Sequence, residues 1–391
     1  LKLLSVFGTR PEAIKMGPLV RALSRAPGIE SQVCITGQHR AMLDQVMDLF
    51  GIVPDHDLDL MVGNQTLNGL CARLVSTLDE LYARVRPDRV LVHGDTTTAM
   101  AAALAAFHRR IPVAHVEAGL RTGDLQRPWP EEMNRRFVDV VSDLLFAPTA
   151  SAAANLAGEH LAGRVLVTGN TVIDALAQTV GRLDADAGLR ATLDAQFPFL
   201  AGNRKLVLVT GHRRESFGQG FEDICRALAA LARRDDVEII YPVHLNPNVQ
   251  GPVHACLGGL SNVHLLPPQD YLGFVRLMQR AHVVLTDSGG VQEEAPALGR
   301  RVLVMREVTE RPEAVAAGAV RLVGTGVDSL LAEASVACDA PPRPAVFDPH
   351  ASPYGDGRAC ERIVAALTGQ PVEAFAAMAA PLAVPPLATA C

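Results

Sequence analysis

Short apolar runs rich in Val, Ile and Leu alternate with amphipathic stretches along most of this chain, and that alternation restricts its fold more than any other feature. It is the pattern of βαβ units wound around parallel sheets. In the first half, strands are expected at 2–7, 31–36, 89–93, 112–116, 144–147 and 165–168, with helices at 11–26, 39–50, 66–85, 96–109 and 130–141. In the second half, strands are expected at 205–210, 237–241, 263–266, 282–286 and 302–305, with helices at 217–233, 270–280 and 291–299. The pattern restarts in AGLRATLDAQFPFLAGNRK (187–205), which puts a boundary near 170–200. A length of 391 residues exceeds one ordinary core and suits two domains. The expected fold class is α/β, with two doubly wound Rossmann-like domains facing a central cleft where strand ends meet a ligand. The Ala/Pro-rich end, 376–391, reads as a flexible tail.

Several classes of function are disfavoured. A net charge of −6 leaves no basic footprint for nucleic acid. The seven cysteines, at 34, 71, 225, 256, 338, 360 and 391, show no CxxC spacing. An odd, scattered set reads as reduced thiols, neither a disulfide framework nor a zinc site. The opening LKLLSVFG reads as a first strand and not as a signal peptide. No apolar stretch reaches the roughly 18–20 residues that span a membrane. A cytoplasmic protein with no metal and no membrane partner is expected.

Function in an open parallel sheet gathers at the carboxyl ends of strands. In FGTRPEAIKMGPL, Arg10 sits just past the first strand, Pro11 suits an early helical position, and Lys15 follows near the same end. A dinucleotide fold would carry Gly-x-Gly-x-x-Gly here; this chain has one glycine and then a cation, which disfavours NAD. Arg10 is either a solvated loop charge or an anion ligand. In RVLVHGDTTTAMAAAL, Asp95 is a helix cap, unless one of the following threonines caps and frees it for chemistry. Glu117 ends the next strand, in an apolar context that would desolvate its carboxylate and raise its pKa. RPWPEEMNRRF places Glu131 and Glu132 at a helix start, where one of them serves only the macrodipole.

The second half supplies the opposite sign. His212, Arg213 and Arg214 lie directly beyond a strand and suit phosphate. His244 ends another strand, as a structural or a functional histidine. In VVLTDSGGVQEEAP, the amides of Ser288, Gly289, Gly290 and Val291 at a helix start form an anion cradle. Glu294, about one turn on, suits a ribose diol; Glu293 is the weaker candidate. A nucleoside diphosphate satisfies both the amides and the carboxylate.

The chain resembles the non-hydrolysing UDP-N-acetylglucosamine 2-epimerases nearly end to end. The likeness is carried by FGTRPEAIKMGPL, TGQHRAMLDQV, HGDTTTA, HVEAGLRTGD, RPWPEEMNRR, TGNTVIDAL, GHRRES, LTDSGGVQEEAPALG and VTERPEAV. The resemblance implies a GT-B architecture: residues 1–170 with a C-terminal crossing helix at about 358–372, and residues 171–357 as the UDP-binding domain. It implies interconversion of UDP-GlcNAc and UDP-ManNAc, the latter supplying cell-surface polysaccharide. It implies catalytic roles for Asp95, Glu117, Glu131 and His212. Arg10, Lys15, Arg213, Ser288, Gly289, Gly290 and Glu294 would bind the UDP-sugar. Gln45, Glu132, Arg213 and His244 match positions where some members bind a second UDP-GlcNAc as activator, and a homodimer is common in the family. Two features depart from its pattern: Ser216 stands where Asn is usual after HRRE, and the 376–391 tail runs past the usual end.

The proton on carbon 2 of the sugar is not beside a carbonyl, so simple abstraction at neutral pH is not feasible. Without a dinucleotide fingerprint, elimination of UDP to 2-acetamidoglucal and re-addition is the expected route, with no cofactor. It needs acid/base groups on both faces of carbon 2, each contributing about 10²–10⁴-fold. A hydrolysing epimerase releasing ManNAc and UDP, a GT-B glycosyltransferase and a silent nucleotide-sugar sensor are the alternatives.

Overall fold

A computed structural model of the chain describes residues 1–37, 40–60 and 65–377. Position 39, where one helix was expected to begin, and the expected tail from 378 onward lie outside the described residues. The chain forms two compact units, Leu1–Gln178 with Tyr354–Ala377, and Thr179–Pro353. The division runs through the helix Thr171–Ala185. Among the described residues, no helix is long and apolar enough to cross a membrane.

The first unit holds a sheet of β1 (Lys2–Phe7), β2 (Glu30–Ile35), β3 (His56–Asp57), β4 (Arg89–His93), β5 (Val113–Val116), β6 (Leu144–Ala147) and β7 (Arg164–Val167). Its spatial order is β3-β2-β1-β4-β5-β6-β7, parallel throughout. The second unit holds β8 (Lys205–Thr210), β9 (Val237–Pro242), β10 (Val263–Leu266), β11 (Val283–Thr286), β12 (Arg301–Val304) and β13 (Val320–Leu322). The order there is β10-β9-β8-β11-β12-β13, again parallel. Each sheet thus reverses its winding once, between β1 and β4 and between β8 and β11. At such a switch point the connections diverge to opposite faces and leave a crevice at the strand ends.

The strands are continuous apolar runs because both faces of each sheet are covered. In β1, Leu3, Leu4, Ser5, Val6 and Phe7 are all buried. Leu4 and Val6 pack with Leu74, Leu78 and Tyr82 and with the alanines of the helix Thr97–His108. Small side chains let that helix sit close to its neighbours, Leu67–Val85 and Glu131–Val141. In the second unit, Val207, Val209, Ile239 and Leu285 pack against Phe221, Ile224 and Leu228 of Gln219–Leu231 and against Leu330 and Ala334 of Val327–Asp339.

The expected strands and helices form within a residue or two of the bounds read from the pattern. The structure adds helices at Ala150–Gly158, Thr171–Ala185, Ala187–Gln196, Pro247–Leu257, Pro312–Ala316 and Val327–Asp339. Pro247–Leu257 contains Gly251 and Pro252, which read locally as breakers, yet Pro247 is tolerated in its first turn and Asn246 caps it.

The C-terminal helix Ala359–Leu367 packs on Arg10–Arg25 in the first unit. Its amides at Ala359 and Cys360 donate to the Asp174 carboxylate at 3.1 and 2.8 Å. Burial nevertheless raises the Asp174 carboxyl from 3.8 to about 6, and those amide donors oppose the rise. A raised acid contributes stability that is present below its ordinary value and lost as pH climbs through the folded value. Asp174→Asn is therefore expected to gain on the parent by about 1.4 kcal/mol for each pH unit between about 4 and 6. Urea midpoints across that range read the difference.

Candidate functional site

In the first unit the site is built on the turns after β1, β4 and β5. Thr9 caps the helix Arg10–Arg25 in a reciprocal box with Glu12. Glu12 is buried; its Oε2 accepts the Gly8 and Thr9 amides at 3.1 and 2.7 Å, and its Oε1 accepts the Thr96 hydroxyl at 2.6 Å. One carboxylate therefore ties the β1 turn to the β4 turn. Thr96 caps the helix Thr97–His108 through the Ala99 amide at 3.0 Å, which leaves Asp95 out of the cap. Asp95 Oδ2 instead pairs with the Arg135 guanidinium, and Asn134 Nδ2 donates to the Asp95 carbonyl at 2.9 Å. The Asp95 side chain keeps 27% exposure.

Glu117, just past β5, has a left-handed backbone with φ 70°. Such a conformation costs a non-glycine residue about 1–3 kcal/mol and persists only where its surroundings hold it. The Glu117 and Ala118 amides both donate to the Phe146 carbonyl, at 3.1 and 3.0 Å. The side chain is buried, but not in the apolar setting expected. Lys15 pairs with Oε2 and Asn170 Nδ2 donates to the same oxygen at 2.7 Å. His93 Nε2 stands 3.9 Å from Oε1. The His93 ring is buried, with both nitrogens unpartnered, and burial pushes it down to about 4; Glu117 opposes that, while Lys15 and His115 reinforce it.

Arg10 and Glu131 are each the first residue of a helix and half-buried. Glu132 is fully buried: it accepts the Thr122 and Gly123 amides at 3.1 and 3.2 Å and pairs with Arg135 and Arg136. Gln45 is exposed on the helix Arg40–Phe50.

In the second unit, His212 and Arg213 follow β8, and Asp287 follows β11. The buried Asp287 accepts the His212 and Arg213 amides at 2.7 and 2.8 Å, and its other oxygen lies 3.3 Å from His212 Nδ1. Burial lowers the His212 pKa; Asp287 opposes this, and Arg213 and His244 add to it. The exposed His244 stacks on His212 with ring centroids 5.5 Å apart. The side chain of Arg214 lies outside the described residues.

The helix Gly289–Ala297 starts without a side-chain cap. The Ser288 amide, expected to join an anion cradle, donates to Thr286 Oγ1 at 2.9 Å. Glu294 is buried and accepts from the Tyr271 hydroxyl. Glu293 faces Arg311 Nε at 2.8 Å. Nearby, Glu310 joins three guanidiniums: Arg213 at 3.0 Å, Arg311 at 3.2 Å and Arg306 at 2.6 Å. Although burial pushes the Glu310 carboxyl upward, the three cations hold it well below the usual range.

Glu12, Arg135, Asn170, Asp287, Tyr271 and Glu310 were not singled out from the sequence. All but Tyr271 lie inside the conspicuous motifs FGTRPEAIKMGPL, RPWPEEMNRR, TGNTVIDAL, LTDSGGVQEEAPALG and VTERPEAV, and for Glu12, Asn170 and Asp287 strand-end position was the available signal. Among the described residues, no group of three or more His, Cys, Asp or Glu is arranged to hold a metal ion.

The family model for UDP-N-acetylglucosamine 2-epimerase matches residues 21–368. The UDP-N-acetylglucosamine 2-epimerase of Salmonella typhimurium LT2 is 55% identical over 369 residues, 94% of this chain and 98% of that protein. The Escherichia coli K12 protein of the same name is 55% identical over 370 residues, with the same two shares. The crystal structure of the Neisseria meningitidis UDP-GlcNAc 2-epimerase bound to UDP-GlcNAc superposes with a TM-score of 0.88 at 46% identity, over 95% of this chain and 100% of that one. The Methanocaldococcus jannaschii enzyme, in complex with UDP-GlcNAc and UDP, gives 0.81 at 32% identity over 94% and 100%. With the two parallel sheets, this likeness assigns the GT-B-like class of two-domain Rossmann fold.

His93 carries a prediction of its own. A histidine lowered on folding contributes stability that is present above its ordinary value and lost as pH falls through the folded value. The parent should lose about 1.4 kcal/mol for each pH unit between about 6.5 and 4 on this account. Chemical denaturation of His93→Gln is expected to show that much less acid sensitivity across the same window.

Proposed function

The chain belongs to the UDP-N-acetylglucosamine 2-epimerase family, and from that premise we propose that it interconverts UDP-GlcNAc and UDP-ManNAc by the non-hydrolysing route. The reading is carried by Glu117: a carboxylate held in a strained backbone at a strand end, paired to a buried lysine, one strand away from Asp95. Strain at a buried carboxylate is hard to explain as a device for stability.

In the proposed reaction a carboxylate takes the proton from carbon 2 as the carbon 1–oxygen bond breaks, and UDP leaves with the bonding electrons. The product is 2-acetamidoglucal. UDP then re-adds through the same oxygen at carbon 1, while a proton is delivered to carbon 2 from the opposite face. No electrons are exchanged with a cofactor and no water is consumed. Asp95, Glu117 and Glu131 supply the acid/base groups, with Lys15 orienting Glu117 and Arg135 orienting Asp95. Arg10, His212, Arg213 and the amides at Gly289 and Gly290 stabilise the charge that develops on the leaving diphosphate, with Ser288 as the residue that starts the cradle. Glu294, steadied by Tyr271, accepts from the ribose diol. Gln45, Arg213 and His244 take a second UDP-GlcNAc as activator in the same proposal, Glu132 acts only through Arg135 and the 122–123 turn, and the working unit is a homodimer.

Incubation with UDP-GlcNAc in deuterated buffer, without added cofactor, is expected to give UDP-ManNAc with deuterium at carbon 2 by proton NMR. Asp95→Asn and Glu117→Gln should each lower kcat by about 100-fold or more. Free ManNAc and UDP as the products would instead assign hydrolysis, and parent-like rates in both variants would remove the acid/base assignment.

A further inference from the structure

His115 lies in β5, fully buried, and both ring nitrogens are engaged. Nδ1 is 2.6 Å from Asp139 Oδ1, and Nε2 is 2.8 Å from the Gly94 carbonyl oxygen. A carbonyl oxygen only accepts, so Nε2 carries a proton. Asp139 Oδ2 accepts from the Arg121 guanidinium at 2.8 Å and the Gly119 amide at 3.3 Å. Nδ1 is held by the Asp139 carboxyl, so the ring is tied at both nitrogens. Arg121 is balanced on its other edge by Glu159 at 2.7 Å. His93 is the other ionisable ring within its field.

The two ends of this cluster fall on the two turns that matter. Gly94, with φ 64°, immediately precedes Asp95; Gly119, with φ 87°, closes the turn that Glu117 begins. His115 holds the first through Gly94, and Asp139 holds the second through Gly119. We propose that His115 is a positioning residue for the epimerisation, whose two ring nitrogens fix the Asp95 turn relative to the Glu117 turn. The proposal rests on the reading of Asp95 and Glu117 as acid/base carboxylates. With no exposed surface, His115 touches no substrate and acts through these neighbours alone.

Two substitutions separate the arms in the full-length protein. His115→Gln retains a donor near the Nε2 position and so the Gly94 contact; His115→Asn retains one near Nδ1 and so the Asp139 contact. For UDP-GlcNAc, kcat is expected to fall about 100-fold in the Asn variant and about 10-fold in the Gln variant, as for a catalytic group displaced by a fraction of an ångström to an ångström. The Kd for UDP, whose proposed ligands include Glu294 in the second unit, should stay within about 2-fold of the parent. Nitrogen-15 NMR of the parent should show the His115 Nε2 protonated, as its carbonyl partner requires, a measurement that stands whether or not the variants fold. A merely structural role would lower both melting temperatures without ordering the kcat values where both variants are folded. Equal kcat losses in the two variants, parent-like kcat in both, or an unprotonated Nε2 would overturn the proposal. Parent-like kcat in Asp95→Asn and Glu117→Gln would remove the underlying reading as well; loss in those two with none at His115 sinks the positioning role alone.

Discussion

An ammonium and a carboxylate, both almost out of water, hold the first unit's site together. Lys15 comes from the helix after β1 and Glu117 from the turn after β5, 102 residues apart in the chain. Removing two such charges from water costs several kcal/mol per ion, and their attraction offsets that only with good geometry and further donors. Asn170 provides one of those donors. A well-packed apolar pair would serve stability as well, so what this pair contributes is location. It places a carboxylate at the carboxyl end of a strand and keeps it there against an unfavourable backbone conformation. Glu12 does the same work one strand over, binding the β1 and β4 turns to a single carboxylate.

The two units share a winding pattern and differ in charge at the switch point. After β4 and β5 the chain turns through Asp95 and Glu117, each with a basic partner. After β8 and β11 it turns through His212, Arg213 and the Ser288–Gly290 segment, with Asp287 and Glu310 as acidic partners. In each case the partner is buried more deeply than the group it orients, except for the nearly equal Lys15–Glu117 pair. The topology sets where side chains converge, and the local sequence sets the sign. That is why one fold can present carboxylates at the strand ends of one unit and cations at those of the other.

Much of the fold is legible in the sequence. Parallel strands buried on both faces are apolar runs, so β1, β4, β8 and β11 stand out in the sequence, and the residues just after them became the candidates. Elements with weak local signals were missed: β3 spans two residues and β13 three, while Pro247–Leu257 carries an internal glycine and proline. The candidate site is legible in the sequence as a set of positions at strand ends, not as a set of contacts. Nothing near Glu117 in the chain announces Lys15 or Asn170, and its apolar neighbours suggested desolvation where there is an ion pair. The Ser288 amide appeared free until Thr286, two residues back, turned its hydroxyl onto it. Glu132 and Glu131 are adjacent in sequence, but one faces the interior and the other is half-buried, a difference that helix phase and the 122–123 turn decide.

The central claim, that the buried Lys15–Glu117 pair holds the site, is tested most directly by a double-mutant cycle in unfolding free energy. The cycle comprises the parent, Lys15→Met, Glu117→Gln and the combined variant. Lys15→Met alone leaves a buried carboxylate without its cation and should cost about 3–5 kcal/mol. Removing the carboxylate as well should return part of that loss, making the combined variant more stable than Lys15→Met and giving a coupling of about 2–3 kcal/mol. Losses that simply add, within about 0.5 kcal/mol, would mean that the two charges do not support one another and would contradict the account.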